Sequence, residues 1–430
     1  MLTVEFKKAK SVLDRINNKL KSRDFMERSR VGENDFTRNR KMPFCSLIYF
    51  MLNSIKQTLQ KELTNFMSAF TKHDNITKSA FCQHRLKLKP EAFIELNNML
   101  IDEFYTDNII EKWKKYRLLC IDGSTLELPK SQEIIADFGV NSEVDMTPMA
   151  KISTLFDLLN EQILDATIAP SRTSEYDLAI NHLDKLQQGD LLILDRGYGA
   201  RWLFYLLTRK KADFVIRLQH ERGDDIDDFG NSEETSKIIE VKELPKKSDQ
   251  RLKNMKIDFQ PFKFRLVKVT LETGEVEALA TSLLDEQEYP VEIFKELYNK
   301  RWGVETNYSH LKNHIEIGNF TGYSTQVIKQ DFHANAFIAN IQRLIIRDAQ
   351  LELNSKTKHR KHEYKINRNL SLGYMKDKVV GLLTSNNPCY YDELVKLFQI
   401  EPVPIRKNRK YPREKHKQQR KYYINQKRAL

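Results

Sequence analysis

The sequence predicts an α/β protein: a mixed sheet with a β-rich segment late in it and helical regions at both ends. Three observations carry that expectation. Nearly continuous apolar runs at 118–122 and 191–195 each end in an aspartate, as buried strands of a covered sheet can do. Strand-like and helix-like patterns alternate between 115 and 218. Before 110 and after 326 the apolar residues follow helical spacing instead.

Taken in order, 1–112 reads as a helical region with apolar periodicity at 43–70 and 91–105. Thr77 suits the N-cap of a helix over 78–88, and Pro90 stands where the next helix can begin. Two short helices so closely joined suggest a helix-turn-helix, with Ser79, Gln83, His84 and Arg85 as candidate DNA readers; a plain three-helix packing unit is the alternative. The stretch 113–219 holds strands at 118–122, 151–159 and 162–168, the last two joined at Asn160-Glu161. A helix at 174–186, a strand at 191–195, a helix at 201–210 and a strand at 214–218 come next. Region 220–290 is β-rich, with runs at 237–241 and 263–271, the latter paired with 276–283 across Glu272-Thr273-Gly274-Glu275. Asp224, Asp225, Asp227 and Asp228 lack the glycine and terminal glutamate of a calcium loop and read as a solvated acidic turn. The core resumes over 291–325; helical patterns at 326–351, 374–383 and 391–398 fill 326–405, and a basic tail occupies 406–430.

Composition narrows the class. A chain of 430 residues can bury a large core and should hold more than one domain. No signal-peptide pattern is read, and the longest apolar run, 43–52, is about half the ~20 residues a membrane span needs. Cys45, Cys82, Cys120 and Cys389 are scattered with no C-x2-C pair, which points to reduced thiols and away from a zinc site or a disulfide framework. The net charge of +12 is uneven: the tail carries +10, residues 1–41 carry +6, and the body between them −4. Basic ends on a mildly acidic body suggest attraction to a polyanion, with Arg406, Lys407, Arg409, Lys410, Arg413 and Lys415 as DNA-backbone contacts; a solvated tail is the bland alternative.

The chemistry concentrates late in the chain. Tyr298, Arg301, Glu305 and Lys312 are spaced Y-x2-R-x3-E-x6-K, and at ~100° per residue they fall in a helical stripe roughly 60° wide. Leu297, Val304, Tyr308, Leu311 and Ile315 form an apolar stripe beside it. Alone this describes an amphipathic helix with an i,i+4 ion pair. Joined to Asp122 and Asp195 at the ends of two strand patterns, Glu305 completes a candidate three-carboxylate cluster. No Ser-His-Asp spacing, phosphate-binding P-loop or Rossmann glycine pattern competes.

Asp122-Gly123-Ser124, Asp195-Arg196-Gly197-Tyr198 and the Tyr298–Lys312 pattern together resemble the DDE transposases of the bacterial insertion-sequence-four family, in motif type, order and separation. The resemblance implies a ribonuclease-H-like core interrupted by a β-rich insertion at 220–290. It implies metal-dependent cleavage of DNA at transposon ends and then strand transfer, with Asp122, Asp195 and Glu305 as catalytic metal ligands. Two Mg²⁺ ions are expected, Mn²⁺ serving as a substitute, and Asp122 is the best candidate to bridge them. Arg301 and Lys312 would hold phosphates and Tyr298 would add a hydrogen bond, while His310 and His314 fall on other faces and are expected to be solvent-exposed or near DNA. Double-stranded DNA at transposon ends and target sites is the expected partner of a homodimer in the cytoplasm, associated with the nucleoid. A nuclease without strand transfer, or a DNA-binding protein with lapsed catalysis, are the competing functions. Some relatives excise through a DNA hairpin supported by a stacked aromatic. Trp113, Trp202 and Trp302 all lie outside 220–290, and Trp202 and Trp302 read as packing residues; Phe229, Phe259, Phe262, Phe264 or Tyr289 would have to substitute.

Overall fold

A computed structural model describes residues 8–38, 40–53, 57–71, 75–107, 110–142, 144, 146–219, 224–270, 276–376, 378–384 and 388–406. The chain opens with six helices: α1 (Lys8–Leu20), α2 (Arg23–Ser29), α3 (Phe44–Leu52), α4 (Leu59–Phe70), α5 (Lys78–Arg85) and α6 (Glu91–Asp107). Thr77 caps α5 by accepting a hydrogen bond from the Ala80 amide at 3.2 Å, as its spacing predicts. The apolar run that was too short for a membrane is α3, buried from Leu47 to Leu52. Among the described residues no helix is long and apolar enough to cross a membrane.

One eight-stranded mixed sheet comes next, in the order β3-β2-β1-β4-β5-β8-β7-β6. β1 (Arg117–Glu127), β2 (Met149–Asp157) and β3 (Ile163–Pro170) form an antiparallel meander, with α7 (Gln132–Phe138) between the first two. α8 (Glu175–His182) then crosses over to β4 (Asp190–Leu194), and α9 (Arg201–Arg209) to β5 (Asp213–Arg217), so that β1, β4 and β5 run parallel. The wholly apolar Leu191–Leu194 run suits a strand covered on both faces. Its residues alternate between two cores: Leu192 and Leu194 pack with Leu119 and Phe204 on one face, Leu191 and Ile193 with Leu118 and Phe294 on the other.

The β-rich stretch extends this same sheet. β6 (Ser236–Val241), β7 (Phe262–Thr270) and β8 (Val276–Thr281) are antiparallel neighbours, and β8 pairs with β5 through Val215–Thr281, Ile216–Ala280 and Arg217–Leu279. The turn expected at Glu272–Glu275 lies outside the described residues. The acidic run at 224–228 is the start of a short helix, α10 (Asp224–Asn231), rather than a turn: Ile226 and Phe229 bury one face of it, and Asp225 pairs with Arg201. α11 (Lys246–Asn254) lies between β6 and β7.

Two expectations about the site's scaffold need correction. β1 does not end at Asp122; it continues to Glu127 because β2 pairs with it along the whole stretch from Leu119 to Glu127. The signature segment is not one regular helix. It comprises α12 (Ile293–Asn299), a turn at Lys300–Arg301, α13 (Trp302–His310) and a π turn at Leu311–Ile315, closed by Glu316 in the left-handed region. The five apolar residues of its inner stripe are nevertheless all buried. A π turn inserts an extra residue and so rotates the side chains within and beyond it, which bears directly on Lys312.

The 33-residue helix α14 (Thr325–Thr357) ties the halves of the molecule together. Asn340 donates to Asn97 Oδ1 on α6 at 2.7 Å and to the Ile163 carbonyl on β3 at 2.8 Å, and accepts from the Ile163 amide at 2.9 Å. α15 (Arg368–Met375), α16 (Lys378–Thr384) and α17 (Pro388–Phe398) complete the described helices; the helix expected over 374–383 is broken at Lys376, which is extended.

Candidate active site

Asp122 lies where β1 outruns its parallel neighbour. Pairing with β4 stops at Leu119–Leu192, and continuing that register by three residues brings Asp195 level with Asp122. Asp195 leaves β4 as the cap of a 3₁₀ turn over Arg196–Tyr198, its Oδ1 accepting the Gly197 amide at 2.8 Å. Asp122 Oδ1 accepts its neighbour Gly123's amide at 2.9 Å. α13 lies against β1, and Tyr308 donates its hydroxyl to the Asp122 carbonyl at 2.6 Å. Glu305, one turn before Tyr308, accepts from Arg301 Nη2 at 2.8 Å.

Lys312 supplies the clearest link between motifs. Its ammonium donates to Ser124 Oγ at 2.6 Å, joining the last residue of the signature to the first-acid motif across 188 positions. Partial desolvation by the surrounding protein holds its pKa below the usual lysine range, against the pull of the Asp122 charge. Burial likewise raises the Asp122 carboxyl to about 6; Asp195 and Glu305 push it the same way, while the Gly123 amide and Arg301 oppose them. Burial raises the Tyr298 phenol above its usual range, and Arg301 lies over its ring at 5.9 Å. Among the described residues the buried Arg301 Nε has no hydrogen-bond partner, a donor beside the acids.

The structure therefore brings Asp122, Asp195, Tyr298, Arg301, Glu305 and Lys312 to one end of the sheet. Other expected site residues are elsewhere. Arg85 is not a DNA reader: it is 2% exposed, and its guanidinium donates to Gln330 at 2.9 Å, Thr321 at 2.6 Å and Asp331 at 2.8 Å. His84 is half-buried against the Met42 carbonyl, whereas Ser79 and Gln83 are exposed. His310 is also not exposed; it is buried at 3%, bonded to Gln342, and burial with the nearby Arg343 and Arg368 charges lowers its pKa to about 3. His314 is half-buried near Asn369. Trp202 is buried as expected, while Trp302 is 49% exposed, with Arg301 over its ring at 5.6 Å. Phe229, Phe262, Phe264 and Tyr289 are buried and Phe259 packs against the core. Arg406 is exposed, and Lys407, Arg409, Lys410, Arg413 and Lys415 lie outside the described residues.

Glu175 has no counterpart among the residues expected from sequence. It opens α8 after the N-cap Ser174, and its side chain faces both motif glycines: a Cβ at Gly123 would lie 3.7 Å from Glu175 Cγ, and one at Gly197 would lie 3.6 Å from Oε2. Its one sequence signal is the Ser174-x-x-Asp177 capping pattern, which marks the helix start but not what faces it.

The donors are the hard carboxylate oxygens that a divalent cation prefers, and in that chemistry they fit. Among the described residues, however, no three His, Cys, Asp or Glu side chains stand close enough to hold one ion, and Glu305 is engaged by Arg301.

A sheet-end cluster of two aspartates and a helical glutamate, flanked by two cations, agrees with what the chain's relatives are. Residues 113–341, more than half of the chain, match the transposase DDE domain family, and the chain belongs to that family, which generally uses divalent metal ions. It is 23% identical over 251 residues to the transposase InsG for insertion sequence element IS4 of Escherichia coli (strain K12), which supports placement among insertion-sequence-four DDE transposases. That match covers 57% of this chain and 55% of the relative, so the chain spans about half the length of the curated protein it matches. Among solved structures, the piggyBac transposase in a synaptic complex with hairpin DNA is similar with a TM-score of 0.44 and 11% identity, over 92% of this chain and 84% of the other.

Proposed function

We propose that this protein is a cut-and-paste transposase of an insertion sequence, working as a homodimer on double-stranded DNA in the cytoplasm. The observation that carries the reading is the Lys312–Ser124 bond, which folds the signature helix over the first acid so that acids and cations share one sheet end. The meander with parallel β4 and β5 after it suits a ribonuclease-H-like core, with 220–290 as the insertion.

In this reading Asp122, Asp195 and Glu305 hold the divalent ions, Mg²⁺ or Mn²⁺, which supply activation of the attacking oxygen and charge neutralisation at the leaving one. Arg301 engages Glu305, and a phosphate arriving at Arg301 would compete for the guanidinium and so release the Glu305 carboxylate, which would then be one of the residues to hold an ion. Lys312 holds a second phosphate from the Ser124 side, and Tyr298 orients Arg301 through its ring. Trp302, exposed at this rim, is placed to stack on an unpaired base, which gives hairpin-mediated excision an aromatic without recourse to the buried rings of 220–290.

A 3′-end-labelled DNA carrying the element's terminus tests this. Joining of the label to target DNA is expected, with a covalently closed hairpin of twice the strand length on denaturing gels before it. Cleavage without joining would make the protein a nuclease; open breaks without hairpins would remove only Trp302's role.

Deleting 406–430 is expected to lower DNA affinity and flatten its dependence on salt, because the eleven Lys/Arg there displace counterions. Binding titrations at several salt concentrations check it, and an unchanged slope would show that the tail does not touch DNA.

A further inference from the structure

The face of the sheet opposite Tyr308 carries a second set of polar contacts to the first acid. Ser153 pairs with Gly123 across β1 and β2, so both project towards α8. His182 ends α8, two turns after Glu175 and on the same helical face. It is fully buried; its Nδ1 lies 2.7 Å from Asp165 Oδ2 and its Nε2 2.9 Å from Ser153 Oγ. Ser153, 1% exposed, in turn donates its hydroxyl to the Asp122 carbonyl at 3.2 Å. The order Asp165, His182, Ser153 is that of a hydrolase triad, which sequence spacing did not reveal. Here it cannot act as one, because the hydroxyl is sealed between imidazole and strand and no acyl group can reach it.

The hydrogen-bond count gives the trio a different role. Ser153 has one proton; if it is spent on Asp122, His182 Nε2 must donate to Ser153 Oγ, and Nδ1 must share a further proton with Asp165. Burial alone would raise the Asp165 carboxyl, but the His182 bond and charge outweigh it and hold its pKa below the usual range. We infer that Asp165, His182 and Ser153 form a positioning relay for the first catalytic acid, gripping the Asp122 backbone from the α8 side while Tyr308 grips it from the α13 side. The inference rests on the transposase reading of Asp122. β1 has no β4 partner at this point, and the paired grips replace that missing support.

The test uses the full-length protein with Ser153→Ala, Asp165→Asn, His182→Gln and the double variant Ser153→Ala/His182→Gln, on a plasmid carrying the gene with its flanking DNA. Each single change is expected to slow single-turnover strand cleavage about tenfold at unchanged DNA affinity, and the double variant to be no slower than the singles. Wild-type rates in Ser153→Ala, or rate losses that multiply in the double variant, would overturn the relay. Ser153→Ala removes one oxygen and is the variant surest to fold. Hydrogen–deuterium exchange in the 117–127 peptide supplies a readout independent of catalysis: faster exchange in Ser153→Ala supports the relay, and unchanged exchange refutes it. If the wild-type protein cleaves nothing, the transposase reading falls, while the exchange result still judges the relay.

Discussion

Asp122→Asn is expected to abolish metal-dependent DNA cleavage and, in the metal-free protein, to raise the melting temperature by roughly 2–4 °C. Both effects come from one carboxylate. Its charge would be needed to hold a cation in the proposed function, yet burial, with Asp195 and Glu305 nearby, makes that charge costly in the folded state, raising the group from 3.8 to about 6. The sign comes from linkage: the unfolded chain gives up this proton more readily, so the cost is absent below about pH 4, grows to pH 6 and stays constant above. The stability gap between wild type and Asp122→Asn should open across that window. Asp195→Asn and Glu305→Gln should also abolish cleavage, and all three should keep most of their DNA affinity, which basic contacts provide. Nicking of end-labelled DNA with Mg²⁺ and thermal unfolding at pH 4 and 7 check these outcomes. Substantial Mg²⁺-dependent cleavage by any of the three would remove that residue from the site.

The second large effect is on folding. Arg85→Ala is expected to destabilise the protein by about 3–5 kcal/mol, because the buried Asp331 charge loses its cation and keeps only its hydrogen bonds from Thr321. Asp331→Ala should cost a similar amount, and the double variant less than the sum, since removing both partners leaves no orphaned charge. Denaturant unfolding monitored by circular dichroism measures all three. Were Arg85→Ala to keep full stability while losing DNA binding, the residue would return to the DNA interface.

The features legible in the sequence and those hidden from it divide along a physical line. Buried strands such as Leu191–Leu194 announce themselves locally, because a strand covered on both faces must be apolar throughout. The spacing of the proposed site is equally local: Arg301 and Glu305, four residues apart, are bonded to each other. The continuation of β1 through Gly123-Ser124-Thr125 was not legible, since these polar residues, none of them buried, are held extended by β2 rather than by their own preference. Arg85 and His310 were misplaced for a related reason. A charged or polar residue on a short helix reads as exposed, and the groups that bury these two, Asp331 and Gln342, are supplied by α14. Glu175, Ser153, His182 and Asp165 had no pattern to betray them, because only the crossover of α8 onto the meander brings them beside the first acid.

α14 also separates two meanings of the word unit. The stretch shared with other family members ends at Ile341, midway along this helix. Gln342, which holds His310 behind the catalytic helix, and Arg343, which bonds Asn307 there, lie just past that border. The match to the family thus ends just before two side chains that brace the glutamate-bearing helix. How firmly the Glu305-bearing helix is seated is thus set from behind, by side chains of α14, and not only at the carboxylates.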